Sequence, residues 1–333
     1  MRTLPRFILA LFMVLTLPLG ANADPTIMRF ATLSPPNWWG VTKLMQPWAE
    51  KVKAASEGTL DIQLTNGFAL GNYTNVYDRV LNDFIQISWG SPSYMGGLFP
   101  KTDVVALPFI GDGSERASVA LWHLYAGGLI SDEFKSIKPL GLFVPPQSGI
   151  HTRKTPIHAL ADLEGLRIRA GSKALNEVIT ALGATPNSIN VGEVYTALQR
   201  GTIDGTILPW TAFQAFKLQE VTFDHLDVQL GSAPLMIFMS QAKFDALPPL
   251  AKKAIDDNSG EMLSRTMGKL FDEDRSVERQ SVVELKDHTI TTLAPEELER
   301  WKAKVQPVSE AWGKSVPEAD KVLAAYTKEM QQP

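Results

Sequence analysis

The segment Asp162-Leu163-Glu164-Gly165-Leu166-Arg167-Ile168-Arg169-Ala170-Gly171-Ser172 decides how this chain folds. Leu166 and Ile168 alternate with Arg167 and Arg169, the two-residue period of a short strand. Gly171 breaks the strand, and Ser172 stands where a side-chain oxygen can cap a helix. Leu175, Val178, Ile179 and Leu182 then recur at helical spacing, and Gly183 is placed to end that helix. Arg169 therefore falls at the carboxyl end of a strand, just before a helix N-terminus. In open α/β sheets that is where ligands bind. The helix end adds free N–H groups and positive potential, and a guanidinium there is a two-pronged donor for a carboxylate. The segment alone leaves a second role open for Arg169, a solvated strand end or a structural ion pair.

Upstream, Ile27 to Thr32 reads as the first strand, and Leu33-Ser34-Pro35-Pro36-Asn37-Trp38-Trp39 as a turn-rich loop. Val41, Leu44, Met45, Trp48 and Val52 mark one face of a helix. Leu60, Ile62 and Leu64 alternate as a second strand, Asn72 opens another helix, and Phe84 to Trp89 is a third strand. This order implies parallel strands with helices on both faces. A helix from about Ser114 to Leu129 and a strand from Leu140 to Val144 follow. Pro145-Pro146-Gln147-Ser148-Gly149 is a candidate crossover to a second domain.

Downstream, Gly192 to Gly201 reads as a short helix with Val194, Ala197 and Leu198 inward, and Thr202 to Ile207 as a strand. Leu208-Pro209-Trp210 leads into a further helix. Ser232-Ala233 is a second candidate crossover before the apolar strand Pro234 to Ser240. Pro248-Pro249 starts a helical stretch that runs without proline to about Leu285, longer than most globular helices and long enough to brace two domains. His288 to Thr292 is the last strand, and a terminal helix pair is split by Pro317.

The N-terminus carries Arg2 and Arg6, an apolar run from Phe7 to Leu19 and the small-x-small site Ala21-Asn22-Ala23. That is the pattern of a secretory signal peptide over residues 1–23, which implies a periplasmic protein. Removing it takes the bases from 32 to 30 against 36 acids, a formal charge of −6 that disfavours a nucleic-acid partner. About 310 residues remain, enough for two domains and for cores that need no disulfide, and there is no cysteine. Signatures of catalysis are missing: the five histidines are scattered without zinc-ligand spacing, and no Gly-x-Ser-x-Gly elbow or phosphate loop occurs. Trp38, Trp39, Trp89, Tyr94 and Trp210 all fall at or just after strand ends, on the edge where Arg169 emerges, and so outline a pocket.

Two blocks carry a family resemblance. Asp162 to Arg169 matches the signature DLKGLKIR. Glu193-Val194-Tyr195-Thr196-Ala197-Leu198-Gln199, with Gly201 and Ile203-Asp204-Gly205, matches EVYTALQ-G-(V/I)DG at the same separation. The chain resembles, over nearly its whole length, the DctP-type C4-dicarboxylate-binding proteins of tripartite ATP-independent periplasmic (TRAP) transporters. The resemblance implies a two-lobed periplasmic-binding-protein-like α/β fold with hinge strands and a long bracing helix. It implies lobe I at 24–147 plus about 235–274, lobe II at 148–234 plus about 275–315, and a C-terminal helix at 316–333. It further implies hinge closure on a small organic acid and delivery to a membrane permease, without catalysis, metal or cofactor, by a monomer. Arg169 matches the family's carboxylate-binding arginine. The other candidate ligand-binding residues are Ser34, Asn37, Trp38, Trp89, Ser91, Tyr94, Val191, Glu193, Leu208 and Trp210.

The chain departs from the family at one point. Many members carry DGQENP, with an asparagine that reaches the ligand; here Leu208 takes that position and offers no side-chain hydrogen bond. A second carboxylate buried there would go unpaired, at a cost. The expected ligand thus has one carboxylate and an apolar or aromatic body, with Arg153 or Lys154 as the nearest nominees for a second cation. A C4-dicarboxylate-binding protein, a ligand-binding sensor component and a secreted hydrolase are the rival readings.

Overall fold

The computed structural model describes residues 25–332; the expected signal peptide lies outside them. In chain order the strands are β1 (Thr26–Ala31), β2 (Leu60–Thr65), β3 (Ile87–Gly90), β4 (Ile137–Phe143), β5 (Gly149–Thr152), β6 (Arg167–Arg169), β7 (Thr185–Asn187), β8 (Gly205–Leu208), β9 (Asp224–Leu226), β10 (Leu235–Ser240) and β11 (Thr289–Thr291). The α-helices are α1 (Gln46–Ala55), α2 (Val76–Leu81), α3 (Ser114–Ala126), α4 (Lys173–Ala181), α5 (Val194–Arg200), α6 (Phe213–Phe216), α7 (Gln241–Asp245), α8 (Pro249–Asp257), α9 (Glu261–Val283), α10 (Pro295–Ser315) and α11 (Ala319–Met330).

The strands form two sheets, one per lobe. The first has the order β2-β1-β3-β10-β4 and the second β11-β9-β5-β8-β6-β7. In the first, β1 is parallel to β2 and β3, as the strand-helix-strand order requires, while β10 returns from the second lobe and runs antiparallel to β3 and β4. In the second, β6 is parallel to β7 and β8, and β5 enters antiparallel to β8 and β9. Each sheet thus receives one strand by a crossover. The two crossovers lie side by side: Ser148 N donates to Gly231 O at 2.9 Å, Leu230 N to Ser148 O at 3.1 Å, and Ser232 Oγ to Pro145 O at 2.8 Å. The backbone of Gly231 (φ +102°) passes so close to Ala106 that a Cβ there would sit 2.2 Å from its carbonyl oxygen, so only glycine fits.

The long helical stretch is two helices rather than one. It breaks at Gly260 (φ +84°), whose N–H leaves the helix to donate to Leu140 O at 2.7 Å. A left-handed glycine bonded to a strand cannot continue a helix, and absence of proline did not reveal this. Beyond the break α9 runs unbroken past residue 274 and serves both lobes. Its Asp272 carboxylate accepts from Ser114 N and Glu115 N, at 2.7 and 2.9 Å, and so caps α3 of the first lobe. About two turns later Arg279 Nε donates to Asp227 Oδ2 of the second lobe at 2.8 Å. The helix α10 also spans both. Trp301 is buried in the second lobe's core, and the Trp312 indole donates to Pro100 O of the first lobe at 2.9 Å. The strands β5, β7 and β9 escaped the sequence reading. Each has three or four residues, and β7 carries Pro186, so none shows a period long enough to count.

Candidate ligand-binding site

Arg169 ends β6, whose residues Ile168 and Arg169 pair with Gly205 and Thr206 of β8. Ser172 caps α4 as its position suggests, accepting from Leu175 N at 3.1 Å. Residue alternation puts Arg167 and Arg169 on one face, yet their surroundings differ. Arg167, at the open end of the strand, grips Asp204 with Nε and Nη2 at 2.9 and 2.8 Å. Arg169, at the end that faces the other lobe, is 1% exposed. Its Nε donates to Ile189 O at 3.1 Å and its Nη2 to the Tyr94 hydroxyl. No carboxylate pairs with it among the described residues. Burying an unpaired cation costs on the order of several kcal/mol, so this guanidinium is set for an anion the chain itself does not supply. Gly171 makes room for it: a Cβ there would lie 2.7 Å from Tyr94 Oη and 3.1 and 3.2 Å from the two terminal guanidinium nitrogens.

A cavity of about 110 Å³ adjoins Arg169 between the lobes. Loops after β1 and β3 bring Ser34, Trp38, Ser91 and Tyr94, with Trp89 at the end of β3 itself. The second lobe adds Arg169, Val191, Leu208 and Pro209, and α9 adds Phe271. Aromatic rings form a continuous wall: Tyr94 lies 5.6 Å from Tyr73, the Trp89 indole donates to Tyr73 Oη at 3.0 Å, and Trp89 lies 5.7 Å from Trp38. Burial pushes the Tyr73 phenol up, which keeps it neutral beside the cation. Arg169 is the one charged side chain among the described lining residues.

Of the candidates nominated from sequence, eight line the cavity: Ser34, Trp38, Trp89, Ser91, Tyr94, Arg169, Val191 and Leu208. Three do not. Asn37 and Glu193 are exposed on the surface. Trp210 turns away into the second lobe, where its ring packs 4.8 Å from His151 and 4.9 Å from Phe213, and its N–H donates to Asp227 at 3.3 Å. A buried indole N–H needs an acceptor, and Asp227, which also accepts from Arg279 and does not line the cavity, supplies it. Arg153 and Lys154 also lie off the cavity wall, Arg153 over Gly201 and Lys154 exposed. Sequence reasoning missed Tyr73, Phe271 and Ser148. Phe271 sits on the apolar stripe of a helix, where packing is the default reading.

Three histidines that look scattered in sequence meet behind this wall. His151 Nε2 lies 3.0 Å from Leu208 O, His151 Nδ1 lies 3.1 Å from His225 Nδ1, and His225 Nε2 lies 3.0 Å from His288 Nδ1. Since a carbonyl only accepts, His151 must donate from Nε2, His225 from Nδ1 and His288 from Nδ1. One neutral tautomer per ring satisfies the whole chain. Burial lowers the pKa of all three, His151 to about 4. They brace β5, β8 and β9 under Leu208, a structural role that no pairwise spacing could show.

Two packed α/β sheets, paired crossovers, a helix common to both and a cleft with a buried cation define a two-lobed binding protein for a small anion. Residues 31–315 match the model of the bacterial extracellular solute-binding proteins, family 7 (DctP), and the chain belongs to that family of TRAP solute-binding proteins. A TRAP solute-binding protein from a marine metagenome, described as specific for aromatic acid ligands and crystallised with 3-hydroxybenzoate, is 28% identical. It superposes with a TM-score of 0.87 over 92% of this chain and 98% of that one. A TRAP solute-binding protein of Rhodoferax ferrireducens with copurified benzoate is also 28% identical, with a TM-score of 0.86 over 92% and 97%. The outer membrane transporter protein TsaT of Comamonas testosteroni is 23% identical over 307 residues, 90% of this chain and 89% of that protein. Among the described residues no helix is long and apolar enough to cross a membrane.

Proposed function

We propose that this protein captures a small aromatic monocarboxylate in the periplasm, as a monomer, and hands it to a TRAP membrane permease without transforming it. The observation that carries this reading is the wall composition: one cation, Arg169, in an otherwise uncharged cavity rich in Trp and Tyr. The carboxylate takes the free face of the Arg169 guanidinium, in a charge-assisted pair strengthened by burial. The ring lies against Trp38, Trp89 and Tyr94. Full burial of one ring contributes about 1.5–3 kcal/mol. A second carboxylate finds no second cation: the Leu208 side chain presents only carbon, Arg153 and Lys154 are elsewhere, and the unpartnered Trp38 Nε1 and Ser91 Oγ are neutral donors better matched to a hydroxyl. The two structural relatives that hold 3-hydroxybenzoate and benzoate support the same class. The basic start, apolar run and Ala21-Asn22-Ala23 site support export to the periplasm.

Thermal-shift screening of an organic-acid library tests the proposal. A ligand at 100 times its Kd stabilises the fold by about 2.7 kcal/mol. Benzoate or a hydroxylated relative should raise Tm in wild type and leave Arg169→Ala unmoved. A library in which only dicarboxylates raise Tm contradicts it.

A further inference from the structure

We infer that Phe68 is the latch of the cleft, a positioning residue that holds the closed lobes together at the cavity mouth and sets how long a ligand stays. The inference rests on the binding role just proposed and names the side chain that controls release. Phe68 sits in the loop after β2 in the first lobe and is 44% exposed, so it belongs to no core. Its ring reaches across the cleft to Gly192, in the turn before α5 of the second lobe. A Cβ on Gly192 would lie 2.9 Å from Cε2 and 3.1 Å from Cζ of that ring, so the ring rests directly on the glycine backbone.

The same ring meets Tyr73 edge-on at 6.5 Å, and Tyr73 lines the cavity. A groove of about 290 Å³ runs between Phe68 and Pro35 on one side and Gly192, Tyr195 and Lys217 on the other. It shares Ser34, Val191, Ala215 and Phe216 with the ligand cavity, so it is the cavity's outer vestibule. Phe68 therefore stands where a ligand leaves, touching both lobes only while they are closed. An apolar ring in that place gains its burial from closure and loses it on opening. The barrier falls on release rather than on capture.

Stopped-flow fluorescence with benzoate and 3-hydroxybenzoate as probes tests this in the mature chain. In Phe68→Ala we expect the dissociation rate to rise about 10-fold, which is one factor of ten in Kd, with little change in association rate or in Tm without ligand. Gly192→Ala should raise the dissociation rate in the same way, by displacing the ring. In the double variant Phe68→Ala/Gly192→Ala the effect should be no larger than in Phe68→Ala alone, because the added methyl fills space the ring has left. A second readout needs no ligand. The chain has no native cysteine, so Lys51→Cys and Lys173→Cys, one on each lobe, report the interlobe distance by fluorescence transfer. Phe68→Ala should shift that distribution toward open. Unchanged dissociation rates together with an unchanged distance distribution overturn the latch. If neither acid binds wild type, the ligand class fails on its own, and the distance distribution still decides the latch.

Discussion

Tyr94 of the first lobe and Arg169 of the second are hydrogen-bonded across the cleft, the guanidinium donating to the phenol oxygen. The residue expected to hold the ligand's carboxylate is thereby oriented by the opposite lobe. The guanidinium draws its partners from both lobes, Ile189 O from its own and the Tyr94 hydroxyl from the other, so its full set requires the lobes to be in contact. Such a coupling lets binding energy select the closed state.

Tyr94→Phe tests that coupling with the smallest possible change. It deletes one hydrogen bond to a charged group, for which about 1.5–3 kcal/mol is typical, and keeps the ring's packing on Tyr73. We expect weaker binding of an aromatic acid by about 10- to 150-fold, and a scattering profile that stays more open at saturating ligand. Calorimetry and small-angle scattering measure the two. Unchanged affinity would leave the contact without a role in binding.

Arg169→Ala should cost about 2–5 kcal/mol, or about 30- to 5000-fold in affinity. Arg169→Lys should be nearly as poor, because an ammonium cannot donate to Ile189 O, Tyr94 and a carboxylate in one fork. Titration calorimetry on folded variants, checked by circular dichroism, decides it. Retained binding in Arg169→Ala removes Arg169 from the site.

Gly171→Ala should weaken binding by about 10-fold or more with the fold intact. Its added methyl would crowd both Tyr94 Oη at 2.7 Å and the guanidinium at 3.1 Å, displacing the fork from the carboxylate. Wild-type affinity in this variant would mean that the guanidinium has room to spare.

Much of this was legible in the sequence. The strand-turn-helix around Arg169, its cap at Ser172 and the helical stripe from Leu175 to Leu182 appear where local pattern puts them, because each depends on neighbours within one or two turns. The loops after β1 and β3 were readable as cavity walls for the same reason, since strand ends face the cleft. What could not be read depends on contacts distant in sequence. Trp210 stands near a strand end as Trp89 does, but its indole is drawn to Asp227. The helical stretch from Pro249 breaks at Gly260 because Leu140 offers a carbonyl. The chain of His151, His225 and His288 joins residues 63 to 74 positions apart. None of these partners is visible to a periodicity.

The histidine chain gives a pH dependence with a definite sign. Burial lowers each folded-state pKa below the ordinary value near 6.5, so the unfolded chain binds protons first as pH falls. Stability from the neutral chain is therefore present above about pH 6.5 and is lost on acidification, by up to about 1.4 kcal/mol per pH unit for each ring. Burial raises the carboxyls of Asp103, Asp274 and Glu278, which gives the opposite slope in an overlapping window. The histidine part is thus read as a difference. Wild type should exceed His225→Asn in stability at pH 7.5, and the gap should narrow steadily toward pH 4.5 in urea titrations. A gap independent of pH would contradict a neutral, buried chain.

The central claim is that this cleft takes one carboxylate on Arg169 and an aromatic body against Trp38, Trp89 and Tyr94. Competitive calorimetric titration of the mature protein with 3-hydroxybenzoate or benzoate against succinate and malate tests it most directly. The aromatic monocarboxylate should bind more tightly, with the heat abolished in Arg169→Ala. Tighter binding of succinate or malate would contradict it and restore a dicarboxylate ligand.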